Sequence, residues 1–211
     1  IRIRELEQAV TIDPGVRYTS EQIKPYIQFQ GYEQVGARYE EKLQLRSFTA
    51  HDMKAPGESA LIGQATVVAN RRIAKGEIVG VYGGTVLPMG IFGPSGQTYT
   101  MRVGSKEVAR GNTLVEEPIH LSGDNIISRI NTLFEYDAQG KPLRQAPSGY
   151  NVEAVGFNVE ADRWMGVGEG ARTKRENLIL TAVFATEDIS AGAELRMDYQ
   201  YTEGAIKNLF A

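Results

Sequence analysis

The chain contains no cysteine, which excludes disulfides and thiolate metal sites. It has only two histidines, His51 and His120, too few for a histidine-based zinc site, so no metal is expected. No stretch approaches the about 18 consecutive apolar residues of a membrane-spanning helix, and no membrane segment is expected. Neither sign of charge dominates: the formal net charge is −3 and the isoelectric point about 5.6, which gives no reason to expect a nucleic-acid partner. A Gly-Lys-Ser/Thr phosphate loop is missing. So are helix-length periodic segments between strands, which argues against a doubly wound parallel sheet. The chain opens on Ile1 without a signal-peptide pattern; it reads as soluble and as processed or trimmed, with any earlier targeting segment left open.

What is there is one ordinary domain's worth of residues, 211 with 42% hydrophobic, enough to bury a core. Residues 1–48 read as a mostly helical flank. Thr19-Ser20-Glu21-Gln22 resembles a helix start, and Tyr32, Val35, Tyr39 and Leu43 recur at helical spacing. Pro25 keeps the first of these helices short. From residue 60 onward, short apolar runs separated by Gly, Pro and Asn predict strands at Ala65–Ala69, Ile78–Tyr82, Tyr99–Val103, Val152–Phe157 and Leu178–Phe184. Helix is expected only at Asp124–Ile130 and Glu203–Phe210, and long loops at Thr132–Gly149 and Asn158–Asn177. In the second loop, Gly166-Val167-Gly168-Glu169-Gly170 lacks a preceding strand and a following apolar helix. It therefore reads as a loop with a solvated basic tip, not as a nucleotide site. Glu116 and Glu117, adjacent on an extended segment, point to opposite sides and are expected to face solvent.

One pattern occurs twice. Ile73-Ala74-Lys75-Gly76-Glu77-Ile78-Val79 leads to Tyr82-Gly83-Gly84, and Ala191-Gly192-Ala193-Glu194-Leu195-Arg196-Met197-Asp198 leads to Tyr199. Taken with Ile62-Gly63-Gln64, Ser128-Arg129-Ile130-Asn131-Thr132 and Tyr150-Asn151-Val152, the order of these pieces resembles SET-domain protein lysine methyltransferases over roughly residues 60–201. The resemblance implies a mainly β fold with some α: small curved, β-clip-like sheets around a knot-like crossing. The division it implies is a helical flank at 1–48, a SET domain at 49–201 with a variable insert at 85–128, and a C-terminal lid or tail at 202–211. It further implies S-adenosylmethionine as cofactor and a protein substrate presenting a lysine, histone tails among the candidates. Residue by residue, Tyr199 matches the catalytic tyrosine and Tyr82 a channel-lining one. Ile62, Gly63, Asn131, Thr132 and also Tyr199 fall on the cofactor-binding positions, Tyr99 matches a tyrosine of the insert that approaches the cofactor, and Asn151 matches the crossing segment.

The chemistry suits these residue types. A lysine amine has a pKa near about 10.4 and must lose its proton before it attacks a methyl group. A dry, tyrosine-lined channel disfavours the ammonium and aligns the nitrogen. Neither a metal nor a covalent nucleophile is required, which agrees with a chain without Cys and with few His. Taken singly, each residue has a plainer role: a tyrosine after a strand is commonly a packing residue, and Asn131 would cap a loop.

The sequence departs from the family pattern in several places. Thr132 stands where the family has a histidine. Ser128 replaces an arginine three residues before the asparagine, with Arg129 displaced by one. Met197 occupies a position that often carries an aromatic, and a cysteine-rich zinc clip cannot form; Ile206, Leu209 and Phe210 could close the channel instead. By analogy, such divergence suggests a bacterial effector secreted into a host cell and acting on chromatin in its nucleus. The alternatives are a SET-fold binding module without catalytic activity and a β-rich structural domain whose matches are coincidental.

Overall fold

The computed structural model describes residues 2–6, 18–28, 31–87, 99–165 and 172–210. The chain runs β1 (Arg2–Leu6), α1 (Ser20–Ile27), α2 (Tyr32–Lys42) and β2 (Leu43–Ser47), followed by 3-10 turns at Ala50–Asp52 and Pro56–Leu61. It continues through β3 (Ala65–Ala69), β4 (Ile78–Val81), β5 (Gly84–Leu87), β6 (Thr100–Arg110), β7 (Thr113–Gly123) and a third 3-10 turn, Ile126–Arg129. The last elements are β8 (Phe134–Tyr136), β9 (Pro142–Gln145), β10 (Val152–Met165), β11 (Arg172–Ala185) and α3 (Glu203–Phe210). Among the described residues the protein is mainly β, with few helices and four small sheets of order β1-β10-β11-β4, β2-β3, β5-β7-β6 and β8-β9. Among the described residues, no helix is long and apolar enough to cross a membrane.

The helix start read at Thr19 forms as expected: the Thr19 N–H donates to Gln22 Oε1 at 3.0 Å, satisfying an otherwise orphaned donor. With Pro25 inside it, α1 is eight residues long. Residues 1–48 carry strands β1 and β2 as well as these two helices.

The described chain divides into two compact units. The first comprises Ile1–Phe29, Val81–Ser128 and Val155–Ala182, and the second comprises Gln30–Gly80, Arg129–Ala154 and Val183–Ala211. In the first unit, β6 and β7 form a long antiparallel ribbon with an irregularity between Arg102 and Gly104. Along β7 burial alternates, so Glu117, Ile119, Leu121 and Gly123 form the inward row. Glu117 is thus not solvent-facing as expected. The period of two puts it on the buried side, where Arg110 Nη2 meets its Oε1 at 2.7 Å.

In the second unit, β3 has β2 as an antiparallel neighbour and receives the closing segment on its other edge, where the Leu195 N–H donates to Val67 O at 2.9 Å. Burial on both faces accounts for the unbroken apolar run Val67–Ala69, all three residues being buried. The two echoed sequence segments are partners in space: Ile73 and Ile189 exchange N–H···O bonds of 2.9 and 2.8 Å. Gly76 and Gly192 occupy matching turns at φ +79° and +81°, a region open to glycine at little cost.

Three expectations need correction. Thr132–Gly149 is not a plain loop but holds the β8–β9 hairpin. Its turn is built by the Asp137 carboxylate, which accepts the Gln139 and Lys141 N–H groups at 2.9 and 2.8 Å. Asn158–Asn177 is largely strand, because β10 runs to Met165 and β11 starts at Arg172. There β1 pairs with β10, Arg2 opposite Asp162, and the backbone ladder outweighs the polar composition. The Gly166–Gly170 run lies outside the described residues. Asp124–Ile130 forms only a 3-10 turn at Ile126–Arg129, not a helix.

Candidate active site

Three stretches of the second unit meet at its centre: 130–132, 150–152 and 194–199. Asn131 bridges Arg196 and Val152 bridges Met197, both in parallel. The Asn151 side chain works as a surrogate strand, its Nδ2 donating to Glu194 O and its Oδ1 accepting the Arg196 N–H, both at 2.8 Å. The Asn151 and Val152 N–H groups reach Arg196 O at 3.2 Å. An asparagine fits here because it offers a donor and an acceptor at the same distance from the backbone.

Beneath this crossing lies an ionic cluster. Arg196 is 1% exposed; its Nε donates to Glu194 Oε2 at 2.7 Å. Its Nη1 reaches Glu58 Oε1 at 2.8 Å and Thr132 O at 2.7 Å. The guanidinium carbon sits 5.3 Å from the centroid of the Phe48 ring, a cation–π arrangement. Glu194 also accepts from Thr66 Oγ1 and, at 3.3 Å, from Asn131 Nδ2. The backbone N–H of Lys54 donates to the second oxygen of Glu58. Arg196 Nη2 is buried with no hydrogen-bond partner among the described residues.

Tyr199 leaves this crossing half-buried, and its hydroxyl donates to the carbonyl of Ile130, the residue before Asn131. Around it stand other rings. Tyr201 meets Tyr199 edge-on at 5.5 Å and lies nearly parallel to Phe134 at 6.3 Å, which in turn meets Tyr136 edge-on at 6.4 Å. Burial pushes the Tyr136 phenol up to about 12, and the nearby Glu58 carboxylate adds to the effect. Burial likewise raises Tyr150, so both phenols stay protonated at neutral pH.

The remaining sequence-predicted residues are distributed as follows. Thr132 is buried, and its hydroxyl accepts from Gln145 Nε2. Ile62 is 50% exposed. Gly63, at φ +88°, has nothing within 4 Å of where a Cβ would stand, and its N–H donates to Phe48 O at 2.9 Å. Asn131, Thr132, Tyr199, Ile62 and Gly63 all belong to the second unit, whereas Tyr82 and Tyr99 belong to the first. There, the buried Tyr82 donates its hydroxyl to Tyr99 O at 2.7 Å. The Tyr99 side chain is exposed.

Sequence reasoning missed Glu58 and the side-chain role of Arg196. Glu194 and Arg196, two apart on an extended segment, share a side and alternate with Leu195 and Met197, a pattern that ordinarily reads as a strand with its charges outward. All four are buried, and the two charges are there as a pair. Glu58, on a 3-10 turn 138 residues from its partner, carries no local signal. Among the described residues, no group of three or more His, Asp or Glu could hold a metal ion.

No protein-family model matches the chain, and no curated protein does. Among solved structures, a crystal structure of ATXR5 in complex with mono-methylated histone H3.1 is similar to it. The identity is 16% and the TM-score 0.43, over 98% of this chain and 86% of that one.

Proposed function

We propose that the protein transfers a methyl group from S-adenosylmethionine to a lysine side chain of another protein, histone tails being the first substrates to try. The observation that carries this reading is the Tyr199 phenol. Its oxygen is tied to the Ile130 carbonyl at the point where the asparagine segment and the closing segment cross, inside a half-buried set of rings.

The residues present leave room for the cofactor. Ile62 is half exposed and Gly63 has open space beside it, although their N–H groups are taken by Ser59 O and Phe48 O. Asn131 stands at the crossing with its side chain part-exposed. Thr132 would contribute through its backbone, since its hydroxyl is taken by Gln145. When bound, S-adenosylmethionine would supply an electrophilic methyl group carried on a sulfonium, with a neutral thioether as leaving group. The chain's own part is to align the lysine nitrogen and exclude water. The rings of Tyr199, Tyr201 and Phe134 disfavour a solvated ammonium and accept cationic character on their faces. Tyr199 is the catalytic residue in this reading. Tyr82 as a channel tyrosine and Tyr99 as a cofactor-facing one rest on the resemblance alone.

The test is transfer of labelled methyl to histones by the native chain and by Tyr199→Phe. The expected loss is about 100-fold or more, the scale set by a misplaced reacting group. Equal labelling by both proteins removes Tyr199 from the chemistry. The second reading, a binding module, is favoured by one observation, the commitment of Thr132 to Gln145. Cofactor binding measured by calorimetry, without transfer to any protein, would establish it; no cofactor binding at all would leave a structural domain.

A further inference from the structure

Three consecutive carbonyls, of Ile130, Asn131 and Thr132, are each claimed by a donor from the closing segment: the Tyr199 hydroxyl, the Met197 N–H and Arg196 Nη1. The donors run in the opposite order to the acceptors, so a slip at one end must displace the other. Arg196 is the end with the strongest hold. Its side chain binds Glu58 and Glu194 as well as Thr132, and its backbone N–H is held by Asn151.

As a device for stability alone this cluster is poorly made. Two carboxylates face one guanidinium, all at most 8% exposed, and Nη2 has no hydrogen-bond partner among the described residues. Burying such charges gains little over apolar packing, and a registry role is the better-attested use of buried ionic groups. The sequence places Ser128 where the family's arginine would precede Asn131, and Ser128 turns back to its own strand of chain, donating to Asn125 O at 2.7 Å.

We propose that Arg196, anchored by Glu58, is a positioning residue that sets the register between the asparagine segment and Tyr199. The inference rests on the reading of Tyr199 as catalytic, but its test does not depend on activity alone. The Glu58→Leu/Arg196→Met double variant removes the pair together and leaves Glu194 with its Thr66 and Asn131 donors. Arg196→Lys keeps the charge but cannot hold Glu194, Glu58 and Thr132 at once. Each full-length variant is compared with the native chain by NMR with carbon-13-labelled tyrosine, by amide exchange at Met197, and by methyl-transfer kinetics.

The expected result is a shifted Tyr199 ring resonance and faster exchange at Met197. With these goes a fall in kcat of about tenfold or more while KM for the cofactor changes less than about threefold, the split of an interaction felt in the transition state. A folded variant with Tyr199 resonance and Met197 exchange as in the native chain overturns the proposal. If the native chain transfers no methyl, the functional reading fails, and the two spectroscopic measurements still decide whether Arg196 sets the register.

Discussion

Replacing Arg196 alone by methionine isolates the cost of breaking the buried cluster. Methionine matches much of the volume and removes the charge, so Glu58 and Glu194 lose their common cation while both stay buried. Removing one member of a buried ion pair costs about 3–5 kcal/mol, because the partner is left uncompensated. The acceptor left at Thr132 O adds about 1 kcal/mol, and the apolar side chain against Phe48 returns a similar amount. The net expectation is about 3–5 kcal/mol, a large part of the about 5–15 kcal/mol of a typical domain. With a urea slope of about 2 kcal/mol/M, the midpoint falls by about 1.5–2.5 M. Urea unfolding followed by far-ultraviolet circular dichroism measures it. In the Glu58→Leu/Arg196→Met double variant the loss should be smaller than in Arg196→Met, although two residues rather than one have changed. A loss below about 1 kcal/mol in the single variant, or additive losses across the cycle, would refute the assignment of these charges to a coupled interior cluster.

Two further outcomes follow from other sites. Burial alone would raise the Glu77 carboxyl, but hydrogen bonds from Arg71, the Ala74 N–H and Lys42 outweigh it and hold the group at about 2, below its ordinary 4.5. A depressed carboxyl contributes stability that is complete above its unfolded value and is lost as pH falls toward the folded one. Glu77→Gln should therefore flatten the native stability curve between pH 4.5 and about 2; thermal melts with parallel slopes for both proteins would contradict this. At Gly123, a Cβ would come within 2.3 Å of the Tyr82 hydroxyl oxygen and 2.6 Å of Ser128 Cβ. Gly123→Ala should cost about 1–3 kcal/mol by overpacking, seen as a lowered melting temperature, and an unchanged melt would show that Tyr82 moves aside freely.

How far the sequence revealed this arrangement depended on how local each signal was. The apolar run Ala65–Ala69 and the tail Glu203–Phe210 form the expected elements, because composition and periodicity there agree with the environment. The Gly-Glu echo was visible, but the pairing of Ile73 with Ile189 was not, since antiparallel partners 116 positions apart leave no periodic trace. The β8–β9 hairpin was missed because its strands are only three and four residues long; the informative residue was Asp137, whose carboxylate builds the turn. Asn131, Asn151 and Tyr199 could be grouped through resemblance. Glu58 could not, as a lone acidic residue after Ala55-Pro56-Gly57 reads as solvent-exposed until its partner is known.

The placement of Tyr199 is then the product of two constraints of different kinds. The Ile73–Ile189 pair fixes, through backbone bonds alone, where the chain enters its last turn at Gly192. From there Ala193, with its carbonyl bonded to the Ala69 N–H, and Leu195, with its N–H on Val67 O, run along β3. Such a ladder sets direction, but backbone bonds alone do not choose between registers, and a slip of one residue exchanges the two faces of the strand. Here Leu195 and Met197 are as buried as Arg196, so a slip would put Arg196 among their apolar neighbours and one of them against Glu58. That costs a desolvated carboxylate without a cation, several kcal/mol in the scale of buried charges. The ionic cluster thus acts by penalising the wrong register, which a purely apolar Leu195–Met197 pattern would not do.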